Sequence, residues 1–152
     1  MTSLETYNQQ FSSLHTNVTK GRKAPHKAIL LISIIKLIED KKILTPQIFY
    51  DEVLEKAFSE IWNKYAERTK GFSPFVGTPF WHMNYEPFWT LVPRAAYVGQ
   101  EDLLQSRMPG SYSKTIKDVV KFAEIDEELF NLLNDEASRN ILKKTLIDNY
   151  LK

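Results

Sequence analysis

Cysteine is absent from this 152-residue chain. Its absence excludes disulfides and thiolate metal sites and is what a cytoplasmic protein in a reducing compartment is expected to show. Histidine is scarce: His15, His26 and His82 are the only three, and the last 70 residues hold none. No HExxH, glycine-rich phosphate loop or paired-carboxylate motif occurs. The stretch Glu39–Asp40–Lys41 has the form of half a nuclease site, but it closes an apolar run and has no acidic partner on a preceding strand. The chain is therefore expected not to be an enzyme by itself, and to need neither cofactor nor metal. Long hydrophobic runs are missing too. The most apolar one, Ala28 to Ile38, contains Lys36 and is too short to span a bilayer. The opening MTSLETYNQQ has no apolar core of the kind a signal peptide needs.

An excess of one charge is also lacking, since 20 Lys and Arg face 19 Asp and Glu for a net +1. The distribution is uneven, however. Residues 19–42 hold seven Lys or Arg against two acids, and residues 101–152 hold eight against ten. A basic patch on a near-neutral body suits an anion bound at one place.

What is present reads as one soluble domain over residues 1–152. Leu4, Tyr7, Phe11 and Leu14 recur at helical spacing and predict an amphipathic helix over 3–16. Residues 19–23 form a polar loop, and Pro25 then opens a helix over 28–40 that is apolar almost all round, as a central core helix is. Thr45 and Pro46 have the form of an N-cap and a first helical residue. Ile48, Val53, Phe58, Ile61, Trp62 and Tyr65 then continue a helix to about residue 68. A loop with two glycines and two prolines covers 70–79. The run FWHMNYEPFWTLVP has aromatic and β-branched residues on both sides of NYEP and predicts a short antiparallel hairpin. A short helix is expected over 94–105, a loop over SRMPGSYS, and helices near 113–122, 126–134 and 138–150. Ile141, Leu142, Leu146, Ile147 and Tyr150 should line one face of the last. The fold class is thus α+β: a mainly helical single domain with one small antiparallel β-hairpin, open to a winged-helix-like arrangement.

Two stretches carry chemistry. In KGRKAPHK, Lys20, Arg22, Lys23 and Lys27 gather with His26 around a helix start. Free N–H groups and cations together are what a phosphate binds, and the repeated phosphates of a duplex backbone would use them all. In GTPFWHM, Gly77 and Pro79 fix the backbone. Thr78, Pro79 and the following residues offer a small apolar concavity, His82 facing the same way as Phe80. By composition alone these aromatics are core and at least one should be buried.

APHKAILLISII, a helix ending at Trp62 and then TPFWHMNYEPFWTLVP together resemble the N-terminal module of phosphorothioate-dependent HNH restriction endonucleases. That family shows an APHKP-LLL helix start and a PFFHL…GFW-L hairpin at similar separation. The resemblance covers residues 5 to 150. It implies a sulfur-binding domain, the targeting part of a restriction system of bacterial defence, which recognises double-stranded DNA carrying sulfur in place of a non-bridging phosphate oxygen. As the resemblance implies, the sulfur pocket would be His26, Lys27, Thr78, Pro79 and His82. Arg22 and Lys23 would contact flanking phosphates beside His26 and Lys27, and Arg107 would read bases. Sulfur is larger and less strongly hydrated than oxygen, so an apolar wall beside it costs little.

The chain departs from the family at Ala28, where relatives carry proline, and at Thr78, where a larger side chain often lines the pocket. It also lacks an HNH motif, so the nuclease domain is expected elsewhere, in cis or in trans, and a homodimer is compatible with this reading. Two alternatives stay open: a reader of another modification or of unmodified DNA with the same fold, and a protein-interaction domain whose basic loop meets an acidic partner.

Overall fold

The computed structural model describes residues 1–100, 102, 104 and 113–152. The buried helix that the sequence demands is its axis. Helix α2 (His26–Glu39) buries Ala28 through Ile35 without a break, then Leu37 and Ile38, and turns only Lys36 outward before its end. Ser33 lies inside this run, and its hydroxyl donates to the Ile29 carbonyl at 2.7 Å, which satisfies it within the helix. Helix α1 (Ser3–Ser12) is closed at its start by a capping box between Thr2 and Glu5 and buries Tyr7 and Phe11. Helix α3 (Glu52–Lys64) packs along α2 through Leu54, Phe58, Ile61 and Trp62, and a short α4 (Ala66–Thr69) follows it.

Four expectations are corrected. The first concerns Thr45 and Pro46, which do not start a helix. The Thr45 hydroxyl accepts from the Gln47 N–H at 3.3 Å, and Gln47–Ile48 is a strand, β3. The cap of α3 is Asp51, whose carboxylate accepts from the Leu54 N–H at 2.9 Å. Val53, expected on the buried face, is consequently exposed.

The second concerns FWHMNYEPFWTLVP, which is not a hairpin. Gly77–His82 is a helix, α5, running into a 3-10 turn at Met83–Tyr85, and only Trp89–Pro93 is a strand, β4. Its partner is the third surprise: Val120–Ile125, whose first three residues were expected to end the helix near 113–122, is strand β5, entered from helix α6 (Ser113–Val119). Strand β5 lies between β3 and β4, antiparallel to both, with Trp89 opposite Ile125 and Leu91 opposite Ala123. The ladder slips between Val92 and Pro93, where a proline can no longer donate to it. Strand propensity measures how a side chain fits its surroundings. Phe80 and Trp81 are both fully buried because α5 sits against α2 and α6, which encloses two successive residues of a helix.

The fourth concerns the expected polar loop at 19–23, which is the local hairpin of the chain. Val18–Thr19 (β1) and Arg22–Lys23 (β2) pair around Lys20 and Gly21, both of positive φ, the signature of a two-residue type I′ turn. Helices α7 (Glu127–Leu133) and α8 (Glu136–Leu146) then pack on α1, and a π-helical turn at Ile147–Leu151 ends the chain. Leu142 and Leu146 of α8 and Tyr150 of the π-helical turn face the core as expected, whereas Ile141 is exposed. The two small antiparallel sheets and the surrounding helices make a mixed α+β domain, with the strands of the three-stranded sheet drawn from distant segments. No helix among the described residues is long and apolar enough to cross a membrane. Glu39 ends α2 within 3.2 Å of Arg139 Nε, and Asp40 pairs with Lys36, so the nuclease-like tripeptide is a surface helix end.

Candidate anion-facing depression

The turn of β1–β2, the start of α2 and the loop before α5 meet around one open depression of about 1010 Å³. His26, Lys27, Thr78, Pro79 and His82 all line it. Five residues separated by up to 56 positions are therefore brought to one place. Phe72, Phe75 and Tyr85 supply its apolar surface, and His15, Thr16, Asn17 and Ser73 much of its polar rim.

Gly77 makes the loop's close approach to α5 feasible. A Cβ there would lie 2.4 Å from the Phe75 ring and 2.8 Å from Ile116. Pro79 is buried in the third position of α5, so it faces the depression with a small part of its ring. Thr78 is half-buried. His82 stacks on Tyr85 with ring centroids 5.8 Å apart and planes 14° from parallel.

The cations sort into two groups. Lys27 is buried and ion-paired: its Nζ lies 2.7 Å from Glu86 Oε2, and the two side chains are 8% and 1% exposed. Glu86 also accepts from the His15 backbone N–H at 2.9 Å, and the His15 ring lies 3.2 Å from it at the mouth. Arg22 is half-buried; its Nη2 donates to the carbonyls of Arg68 and Lys70, and its guanidinium sits 5.2 Å over the Phe72 ring. Arg68 returns the bond, donating from Nη2 to the Lys23 carbonyl at 2.7 Å. These two arginines fasten the hairpin to α4. Burial, followed by the charge of Arg22, lowers the Arg68 pKa.

Lys20, Lys23 and Lys70, by contrast, are exposed and take part in no ion pair among the described residues. The Lys23 ammonium lies 5.2 Å over the Tyr150 ring. The cations of the basic motif are thus not equivalent. Arg22 and Lys27 are held mainly by the protein's own oxygens, whereas Lys20 and Lys23 of the motif, and Lys70 outside it, are exposed. Arg107 lies outside the described residues.

His26 is neither cation nor cap. Its Nε2–H donates to the Ser73 carbonyl at 2.7 Å, with the Trp62 and Phe72 rings 5.0 and 5.8 Å away. Burial lowers its pKa, the carbonyl bond offsetting only part of that. The unfolded chain binds this proton near pH 6.5 while the folded chain resists it to lower pH, so stability is intact above that value and falls as the solution is acidified. Melting temperature is expected to decline between about pH 7 and pH 5, and His26→Phe, which keeps the ring contacts, should flatten this limb. A slope unchanged in the variant would assign it to other groups.

All three histidines line the depression, including His15, which lies beyond the end of α1 rather than on it. No three His, Asp or Glu side chains among the described residues are grouped so as to hold a metal ion. The result is an open, partly aromatic hollow with a charge-paired floor and three exposed lysines on the surrounding segments. Compared with models of protein families and with curated proteins, the chain matches none.

Proposed function

We propose that this domain is a DNA-binding module that recognises phosphorothioate-modified double-stranded DNA, with the modified linkage resting in the depression between α2 and α5. One observation carries the reading: a hollow with Phe72, Phe75, Pro79 and Tyr85 on its walls is bordered by segments that bear Lys20, Lys23 and Lys70. An apolar wall beside a phosphate oxygen strips water that the oxygen holds strongly, whereas sulfur gives up less, and lysines outside the hollow attract the backbone on either side. On this reading the domain targets a restriction activity housed in a nuclease domain elsewhere, and no hydrolysis is expected of the chain itself.

The test is a titration against two duplexes of one sequence, differing by a single phosphorothioate, at about 150 mM salt, a concentration at which charge contacts alone are weakened. The sulfur-bearing duplex should bind tighter by about tenfold or more, the range of one well-made contact. Lys23→Ala should weaken both duplexes alike and reduce the salt slope by about one. Pro79→Ala should reduce chiefly the preference, provided the variant melts near the wild type. Equal binding of the two duplexes would leave a reader of plain or otherwise modified DNA. Absence of binding to either would overturn the reading in favour of an acidic protein partner.

A further inference from the structure

We propose that Glu86 is the specificity-determining residue of the depression, acting by cancelling the charge of Lys27. This inference rests on the DNA reading above and goes one step deeper, because neither the basic motif nor the aromatic motif pointed to a carboxylate. The geometry assigns the role. Lys27 lines the depression, and its ammonium is held 2.7 Å from a carboxylate that is 1% exposed. That carboxylate is itself fixed by the His15 backbone N–H at 2.9 Å, and the His15 ring at the mouth lies 3.2 Å from it. The Lys27 ammonium also lies 5.9 Å from the Tyr85 ring, so it is enclosed by the same wall that a ligand would meet.

A lone ammonium in such a hollow would attract any phosphate, since charge attraction is strong where water is sparse. Discrimination between sulfur and oxygen would then be swamped by an attraction common to both. With Glu86 in place the floor carries no net charge. A phosphate oxygen entering it loses hydration without a new counter-charge, while sulfur, held less tightly by water, loses less. Rejection of the wrong partner in this way is specificity by an unfavourable element. The exposed lysines outside the hollow still supply the attraction that both duplexes share.

The experiment uses Glu86→Gln, which retains shape and one accepting oxygen but frees the lysine charge, and the same pair of duplexes. The expected result is a gain in affinity for the unmodified duplex larger than any gain for the sulfur-bearing one. The preference, about tenfold or more in the wild type, should fall toward one, and the salt slope should steepen by about one contact. The double variant Lys27→Met with Glu86→Gln restores a neutral floor of similar shape. Its absolute affinity is free to fall with the lost lysine, but its preference should return toward the wild-type ratio. Melting curves of each variant establish that it is folded at the titration temperature. A wild-type preference that survives unchanged in Glu86→Gln overturns this inference and leaves the DNA reading intact, as does an equal loss of affinity for both duplexes. A double variant that stays indiscriminate also overturns it. A wild type without preference overturns both.

Discussion

Lys27→Ala is expected to cost the domain about 3–5 kcal/mol, because it leaves the Glu86 carboxylate buried and without its cation. The residual partners of Glu86 would be the His15 backbone N–H and the exposed His15 ring, neither of which supplies a permanent charge. Against a total stability of about 5–15 kcal/mol for a domain of this kind, the loss is severe. Burial lowers the Lys27 pKa and the bond to Glu86 opposes the shift. Chemical denaturation at neutral pH checks the prediction directly. The double variant Lys27→Met, Glu86→Gln should lose far less than the single one, since replacing both charges by neutral groups of similar shape is often close to neutral. A cost under about 1 kcal/mol for Lys27→Ala would mean that the pair behaves as an exposed one. Any DNA-binding defect of the single variant has to be measured well below its melting temperature, where unfolding does not imitate a lost contact.

Trp81→Ala should be as damaging, at about 3–5 kcal/mol, through the cavity left by a fully buried indole. Trp81 has no exposed surface, and its neighbour Phe80 is equally enclosed, its ring set edge-on to Trp89 at 5.3 Å. The helix that carries Trp81 also carries Thr78, Pro79 and His82, and the Trp81 carbonyl accepts from Asn84 at 2.9 Å in the next turn. Loss of the indole should therefore loosen one wall of the depression together with the core. Denaturant midpoint and slope separate the two levels: a lower midpoint with an unchanged slope reports lost stability of the same folded state. Trp81→Phe should cost less, since more of the site remains filled. If Trp81→Ala melted within a degree or two of the wild type, α5 would not be anchored as described.

The charge at the start of α2 has an answer that the basic motif alone does not contain. A cation-rich helix mouth calls for a negative partner, and the closest one is internal: Glu86, supplied by NYEP from 59 residues further along the chain. In the sequence NYEP has the form of a hairpin turn, where a glutamate is an ordinary solvated residue. Nothing local marks it as buried. Lys27 and Arg22 are thus engaged by the protein's own groups, whereas Lys20, Lys23 and Lys70 are exposed.

Local signals carried a good part of the fold. The helical spacing of Leu4, Tyr7 and Phe11 in α1, the all-round apolarity of α2 and the amphipathic periodicities of α3 and α8 are properties of neighbouring residues, so these helices were legible, apart from the start of α3 and the outward-facing Ile141. The sheet was not. Strand β5 pairs with segments over 25 and over 70 positions away, and its alternation VKFAEI is too short to outweigh the helix that leads into it. Phe80 and Trp81 have strand propensity but lie in a helix, because burial against α2 and α6 decides where a large aromatic ring rests.

The order of amino acids alone thus specifies an α+β domain around one central helix, without cysteine, and the residue types that could meet an anion. Tertiary packing was needed to show that His26, Lys27, Thr78, Pro79 and His82 share one hollow, and which cations are neutralised inside it. The reason is physical. Helices and caps arise from contacts within a few residues, whereas the charge of a buried site depends on groups that meet only when the chain has closed on itself.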